Sequence, residues 1–252
     1  MRNLLFSLSY DGSQYHGWQV QKNSLAVQEL VQDAIEKATG VRDNIIGCSR
    51  TDTGVHAKEY FFNMRTESRL EAWRFPGALN AHLPSDIAVR SCSEVAYDFN
   101  ARYDCLSKEY VYLIWNARER NPFLDKYALH YRYLLDEGKM QKEADCFVGR
   151  HDFAAFCSAN SKVMKTERRV NKFEVEREGD KICLTVEADG FLYNMVRIMV
   201  GTLLRIEEGK IQRESIPYII ASKNRAEAGM TAPAQGLFLN RVFYPEKFQP
   251  KP

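Results

Sequence analysis

The chain has 252 residues, 45% hydrophobic and 27% charged, which fits an ordinary water-soluble protein with room for one large domain or two small ones. Its 35 basic and 33 acidic residues leave a net charge of +2, excluding a chain that holds nucleic acid by bulk charge; an RNA surface would have to be a local patch. No apolar run approaches the roughly 18 residues that span a bilayer, the N-terminal apolar patch is too short for a signal-peptide core, and six scattered cysteines without a C-x-x-C pair or a Cys/His cluster favour free thiols in a reducing cytoplasm over zinc or disulfides.

Leu4 to Tyr10 alternates apolar and polar residues like a half-buried strand and ends at Asp11-Gly12. Val27, Leu30, Val31, Ala34, Ile35 and Ala38 recur at helical spacing between Ser24 and Gly40, which predicts an amphipathic helix. Strands are predicted near 44–48 and 59–65, a proline-interrupted helical stretch near 69–80, and a strand near 86–93. A second unit opens at Lys108, where Tyr110 to Trp115 is apolar on both faces and suits a strand covered on both sides. A helix near 137–148 follows, then a hairpin of Phe173–Val175 and Ile182–Val186 around Glu178-Gly179-Asp180. An apolar helix over Leu192–Ile206 and a strand over Leu237–Tyr244 complete the pattern. Strands and helices mix without regular alternation, so the expected class is α+β, with halves at 1–105 and 106–252. Neither G-x-x-x-x-G-K-[ST] nor G-x-G-x-x-G occurs, so no phosphate loop is expected.

Residue chemistry concentrates in the turn Ser49-Arg50-Thr51-Asp52-Thr53-Gly54-Val55-His56-Ala57, between two β-prone stretches. Taken alone it reads as an Asx-type turn with Gly54 at positive φ. A metal-dependent phosphatase with an Asp nucleophile would carry a second carboxylate where this chain has Gly54. Arg197 lies within an apolar helix, where a guanidinium needs either a partner or a path to solvent. Tyr110, on its strand, reads as a core aromatic, and Tyr15, His16 and Trp18 read equally as packing under the turn or as stacking surface for RNA. Lys162 to Arg169, with Met164, Lys165, Thr166, Glu167 and Arg168, is a candidate RNA patch or a solvated loop.

Read in order, the Asp52 turn resembles the catalytic loop of the tRNA pseudouridine synthase A family. Tyr10-Asp11-Gly12-Ser13-Gln14-Tyr15-His16-Gly17-Trp18-Gln19 resembles that family's opening signature. Asn80-Ala81-His82-Leu83-Pro84-Ser85-Asp86-Ile87 and Phe99-Asn100-Ala101-Arg102-Tyr103 are similar to its next landmarks. Lys108-Glu109-Tyr110-Val111-Tyr112, Gly190-Phe191-Leu192-Tyr193-Asn194-Met195-Val196-Arg197 and Gly236-Leu237-Phe238-Leu239 follow in the family's order. Ser49 stands in place of a common Gly and Thr53 in place of a common Ala, changes that bear on substrate choice more than on chemistry.

The resemblance implies the pseudouridine synthase fold: two related α/β halves whose antiparallel sheets join side by side around a central cleft. It implies an isomerase that makes pseudouridine in the anticodon stem-loop of tRNA, with Asp52 as nucleophile and no metal or cofactor. Arg197 and Arg50 would hold Asp52 ionised, with Arg197 paired to it directly. Tyr110 would stack on the base, and Leu237 and Leu239 would form an apolar wall against water. His56 would fix the loop. Partners implied are tRNA and a second copy of the chain, and no membrane. A paralogue acting on ribosomal RNA, or a non-catalytic RNA-binding module on the same fold, remain the alternatives.

Overall fold

The computed structural model describes residues 1–158 and 163–248. In chain order the first elements are β1 (Arg2–Tyr10), α1 (Val27–Thr39), β2 (Ile45–Gly47), β3 (His56–Thr66), α2 (Phe75–Asn80) and β4 (Ile87–Val95). Then come β5 (Ser107–Trp115), β6 (Leu129–His130), α3 (Glu137–Asp145), β7 (Gly149–Asp152), β8 (Glu167–Glu178) and β9 (Lys181–Ala188). The last are α4 (Met195–Glu207), α5 (Ile216–Ser222) and β10 (Leu237–Phe243). The class is α+β. The chain divides into two compact units, one formed by Met1–Leu106 together with the chain from Phe238 onward, the other by Ser107–Leu237. The final strand, placed with the second half by sequence position, pairs with β3 of the first unit.

In the first unit the strands run β4-β1-β3-β10, with β2 beside β3. Every pairing is antiparallel except β10 on β3, where Phe238 faces His56 and Leu239 faces Ala57. β1 is buried on both faces rather than one. Its two buried polar residues, Ser7 and Asn3, survive inside because they are satisfied: the Ser7 hydroxyl bonds that of Ser91, and the Asn3 amide donates to the carbonyls of Ala96 and Phe99. Phe6 stacks on Phe62 at 4.6 Å and meets Phe75 edge-on, which seats α2 against the sheet. α1 buries Val27, Val31, Ala34 and Ile35 and ends at Gly40, with φ +78°. It starts at Val27, later than Ser24 signals, because Ser24 pairs with Gln21 in a turn. The first free amides of the helix, Val27 and Gln28, donate instead to the carbonyls of Gly17 and Trp18. Pro76 begins α2 instead of interrupting a longer helix.

In the second unit the order is β5-β9-β8-β7, with β6 parallel to β5. The predicted hairpin is β8–β9, closed by Gly179 and Asp180, with Gly179 at φ +59°. α3 packs on β8, and Arg177 ties the two together: its Nε meets Glu137 at 2.7 Å and its Nη2 donates to Asn116 and to the Leu135 carbonyl. α4 begins at Met195, not Leu192, because Asn194 adopts the left-handed conformation (φ +61°). It is buried on almost every face. Among the described residues, no helix is long and apolar enough to cross a membrane, and all six cysteines are free thiols.

Candidate active site

The turn that carries Asp52 is built against the opening landmark, residues 10–18. The Thr51 carbonyl accepts the Trp18 amide at 3.3 Å, and its hydroxyl bonds Tyr10 Oη at 2.8 Å. Gly54 donates to the Tyr15 carbonyl at 3.2 Å, and Val55 closes the turn onto the Asp52 carbonyl at 3.1 Å. Glycines permit the approach: a Cβ on Gly17 would stand 2.2 Å from the Thr51 oxygen, and one on Gly12 2.0 Å from the Val55 oxygen. Beneath the turn, Trp18 stacks on Tyr60 at 4.1 Å, and the Tyr60 hydroxyl donates to the Ser49 carbonyl. Tyr15 is buried with its hydroxyl on Asp86, and burial, followed by that carboxylate, raises its pKa well above the usual phenol value. Tyr15 and Trp18 therefore pack under the loop, whereas His16 is exposed.

His56 is buried, stacks on Phe238 at 4.6 Å, and accepts the Gly12 amide at Nδ1. The Asp11 carboxylate lies 3.0 Å from the same nitrogen. Asp11 is itself held by the Ser13 amide and hydroxyl, so His56 ties the start of β3 to residues 11–13. The result is a rigid turn presenting a half-buried Asp52. Arg50 faces solvent and pairs with no carboxylate among the described residues, so within this unit it does not hold Asp52. Leu239 is fully buried opposite Ala57.

In the second unit Tyr110 is almost fully buried on β5, opposite Val186, and Phe191 meets its ring edge-on at 4.9 Å. Arg197, half-buried in the first turn of α4, donates through Nε to the Ala232 carbonyl and through Nη1 to Asn194 Oδ1, both at 2.6 Å. Asn194 in turn donates to the Ser158 hydroxyl at 2.8 Å. The segment 229–232 that supplies Ala232 is locked on α4. Thr202 Oγ1 accepts the Gly229 amide, and a Cβ on Gly201 would stand 1.8 Å from the Met230 carbonyl. Leu237 is buried, and Gly236 before it lies against the Tyr112 ring and the Leu113 carbonyl. Sequence reasoning found Arg197 but missed its positioning partners. Asn194 carried a signal, as a lone polar residue just before an apolar helix; Ala232 carried none.

The first unit thus presents a half-buried carboxylate on a turn, and the second an aromatic ring on a strand and an oriented guanidinium. The family model described as tRNA pseudouridine synthase matches residues 7–104 and 144–245. The chain belongs to the tRNA pseudouridine synthase family, a family of isomerases. Within it, the chain is 45% identical over 244 residues to the tRNA pseudouridine synthase A of Thermoanaerobacter sp. (strain X514), covering 97% of this chain and 100% of that one. It is 44% identical, at the same coverage, to the protein of that name from Caldicellulosiruptor saccharolyticus. It is also 44% identical over 245 residues to the tRNA pseudouridine synthase A 2 of Clostridium perfringens, again covering 97% of this chain and all of that one.

Proposed function

We propose that this enzyme isomerises uridine to pseudouridine on the 3′ side of the anticodon stem-loop of tRNAs, with Asp52 as nucleophile. The reaction breaks the C1′–N1 bond, turns the uracil over and joins C5 to C1′. The proton lost from C5 is matched by one gained at N1, so product and substrate are isomers and no redox equivalent is consumed. A carboxylate suits this step because it stabilises or traps an oxocarbenium-like centre, as in glycosidases. Tyr110 stacks on the uracil, and Leu237 and Leu239 supply apolar surface that keeps water from the intermediate. Arg197 is the counter-charge of Asp52. Arg50, exposed and without a described carboxylate partner, meets the RNA. The working unit is a cytoplasmic homodimer, a reading supported by the near-neutral net charge, which favours a surface shared by two copies.

The observation that carries this reading is the seating of the Asp52 turn on residues 10–18. Two landmarks distant in sequence form one rigid piece whose presented group is a carboxylate. The test is pseudouridine mapping in total RNA from cells with and without the gene, alongside purified wild-type and Asp52→Asn enzyme on a tRNA transcript. We expect anticodon-stem signals to vanish with the gene, and the Asp52→Asn variant to bind tRNA yet form no product. Loss of ribosomal rather than tRNA signals would move the substrate, and near-wild-type turnover by Asp52→Asn would end the nucleophile assignment.

A further inference from the structure

Arg150 on β7 and Arg169 on β8 are direct cross-strand partners. Both are exposed, and neither forms an ion pair or side-chain hydrogen bond among the described residues. Like charges set opposite each other on neighbouring strands repel, and sheets ordinarily place an acid opposite a base at such positions. Arg168, next along β8 and so on its opposite face, is also without a carboxylate among the described residues. Its Nη1 donates to the backbone carbonyls of Lys165 and Glu167, and its side chain lies 3.3 Å from where a Cβ on Gly190 would stand. Lys165 is exposed nearby, as is Met164. Asp152 and Glu167 form the next opposed pair on the same face, yet no carboxylate among the described residues bonds either guanidinium. Asp189 accepts the Arg169 backbone amide, Asp152 is bonded to Thr166 and Lys223, and Glu167 is exposed beyond the pair. Lys162, the first residue of the basic run, lies outside the described residues.

An arrangement that costs the free protein stability is explained by a ligand that reverses its sign. We propose that Arg150 and Arg169 form a docking site for a backbone phosphate of the RNA substrate. A phosphate oxygen between two guanidiniums turns mutual repulsion into paired attraction, and the planar forks suit bidentate contact. The site carries no sequence information; it fixes where the RNA lies. This inference rests on RNA being the substrate, but not on which uridine is modified nor on the role of Asp52.

The experiment compares wild type with Arg150→Gln, Arg169→Gln, the double variant and Arg150→Lys. It measures thermal stability, tRNA affinity across a salt series, and kcat at saturating tRNA. Each Gln variant is expected to be as stable as wild type or more so, to bind tRNA several-fold more weakly, and to keep kcat. The slope of log affinity against log salt should fall by about 0.7–0.9 for each phosphate the variant no longer neutralises. Arg150→Lys should keep most of the slope. Lower stability with unchanged affinity would overturn the proposal in favour of a structural role, and an unchanged salt slope would overturn it in favour of another anionic partner. Wild-type enzyme that bound tRNA with the expected slope but made no pseudouridine would overturn the catalytic reading while leaving this site standing.

Discussion

Gly17 and Thr51 touch backbone to backbone: a Cβ at position 17 would lie 2.2 Å from the Thr51 carbonyl oxygen, and Gly17 has φ +82°. Gly17→Ala therefore meets both a left-handed penalty and a collision with the residue preceding Asp52. A loss of about 2–4 kcal/mol is expected, with pseudouridine formation falling more than tenfold. Gly40→Ala is the control, since its φ of +78° is similar but nothing lies within 4 Å. It should cost about 1 kcal/mol and leave turnover intact. Thermal melts and turnover of the two variants check this, and equal activity in both would mean the close approach does not position the loop.

Asn194 has two separable jobs, its left-handed backbone and its side-chain bonds to Arg197 and Ser158. Asn194→Gly keeps the first and removes the second. The expected result is a stability loss of about 1 kcal/mol or less. The rate of single-turnover chemistry should fall at least tenfold, with tRNA affinity unchanged. A variant that weakened tRNA binding but kept the rate would place Asn194 in substrate binding, not in orienting Arg197.

Asn116 is a buried hub of the second unit. Its amide donates to the carbonyls of Tyr131 and Tyr133, and its oxygen accepts the Leu135 amide and the Arg177 guanidinium. Asn116→Ala strands several of these groups at once, so a loss of about 3 kcal/mol is expected from chemical denaturation. At temperatures where the variant stays folded, kcat should match wild type.

High pH should unfold the protein through its tyrosines. Burial raises Tyr15, Tyr112 and Tyr244 above the ordinary phenol value of 10.0, and Tyr131 to about 12, helped by Glu208. A neutral form favoured in the fold stabilises fully below pH 10, and its contribution is lost as pH rises through the raised values, because unfolded tyrosines release protons first. Denaturation midpoints should therefore be insensitive to these groups below pH 10 and fall steeply above it. Tyr244→Phe, which removes the bond to the Ala101 carbonyl, should flatten that fall while lowering stability at neutral pH. An ultraviolet titration showing all tyrosines ionising together near pH 10 in the folded protein would contradict this.

Periodic elements with clean punctuation were legible in the sequence. α1 follows from its apolar stripe and Gly40, and β8–β9 from alternation around Gly179. The strands β6 and β7 were not legible, since two and four residues give periodicity too little to act on. α5 was missed because seven residues opened by Pro217 look like a turn. Burial of β1 on both faces was hidden by Ser7 and Asn3, polar residues whose partners are far along the chain. Asp52, Tyr110 and Arg197 stood out as chemistry on ordered landmarks. The supports of that chemistry, such as Thr51 on Tyr10 and Arg197 on Ala232, are long-range bonds that no local pattern encodes.

The parallel seat of β10 on β3 also sets an order of events during translation. The nascent chain delivers β1 to β4 first, then all of Ser107–Leu237, and only afterwards the strand that lies beside His56 and Ala57. The unit begun first is thus completed last. Until Phe238 and Leu239 emerge from the ribosome, the start of β3, immediately after the Asp52 turn, lacks a neighbour it will have in the finished sheet. A message truncated before codon 238 would yield a chain with that backbone unpaired, a ready template for strand-to-strand association between copies.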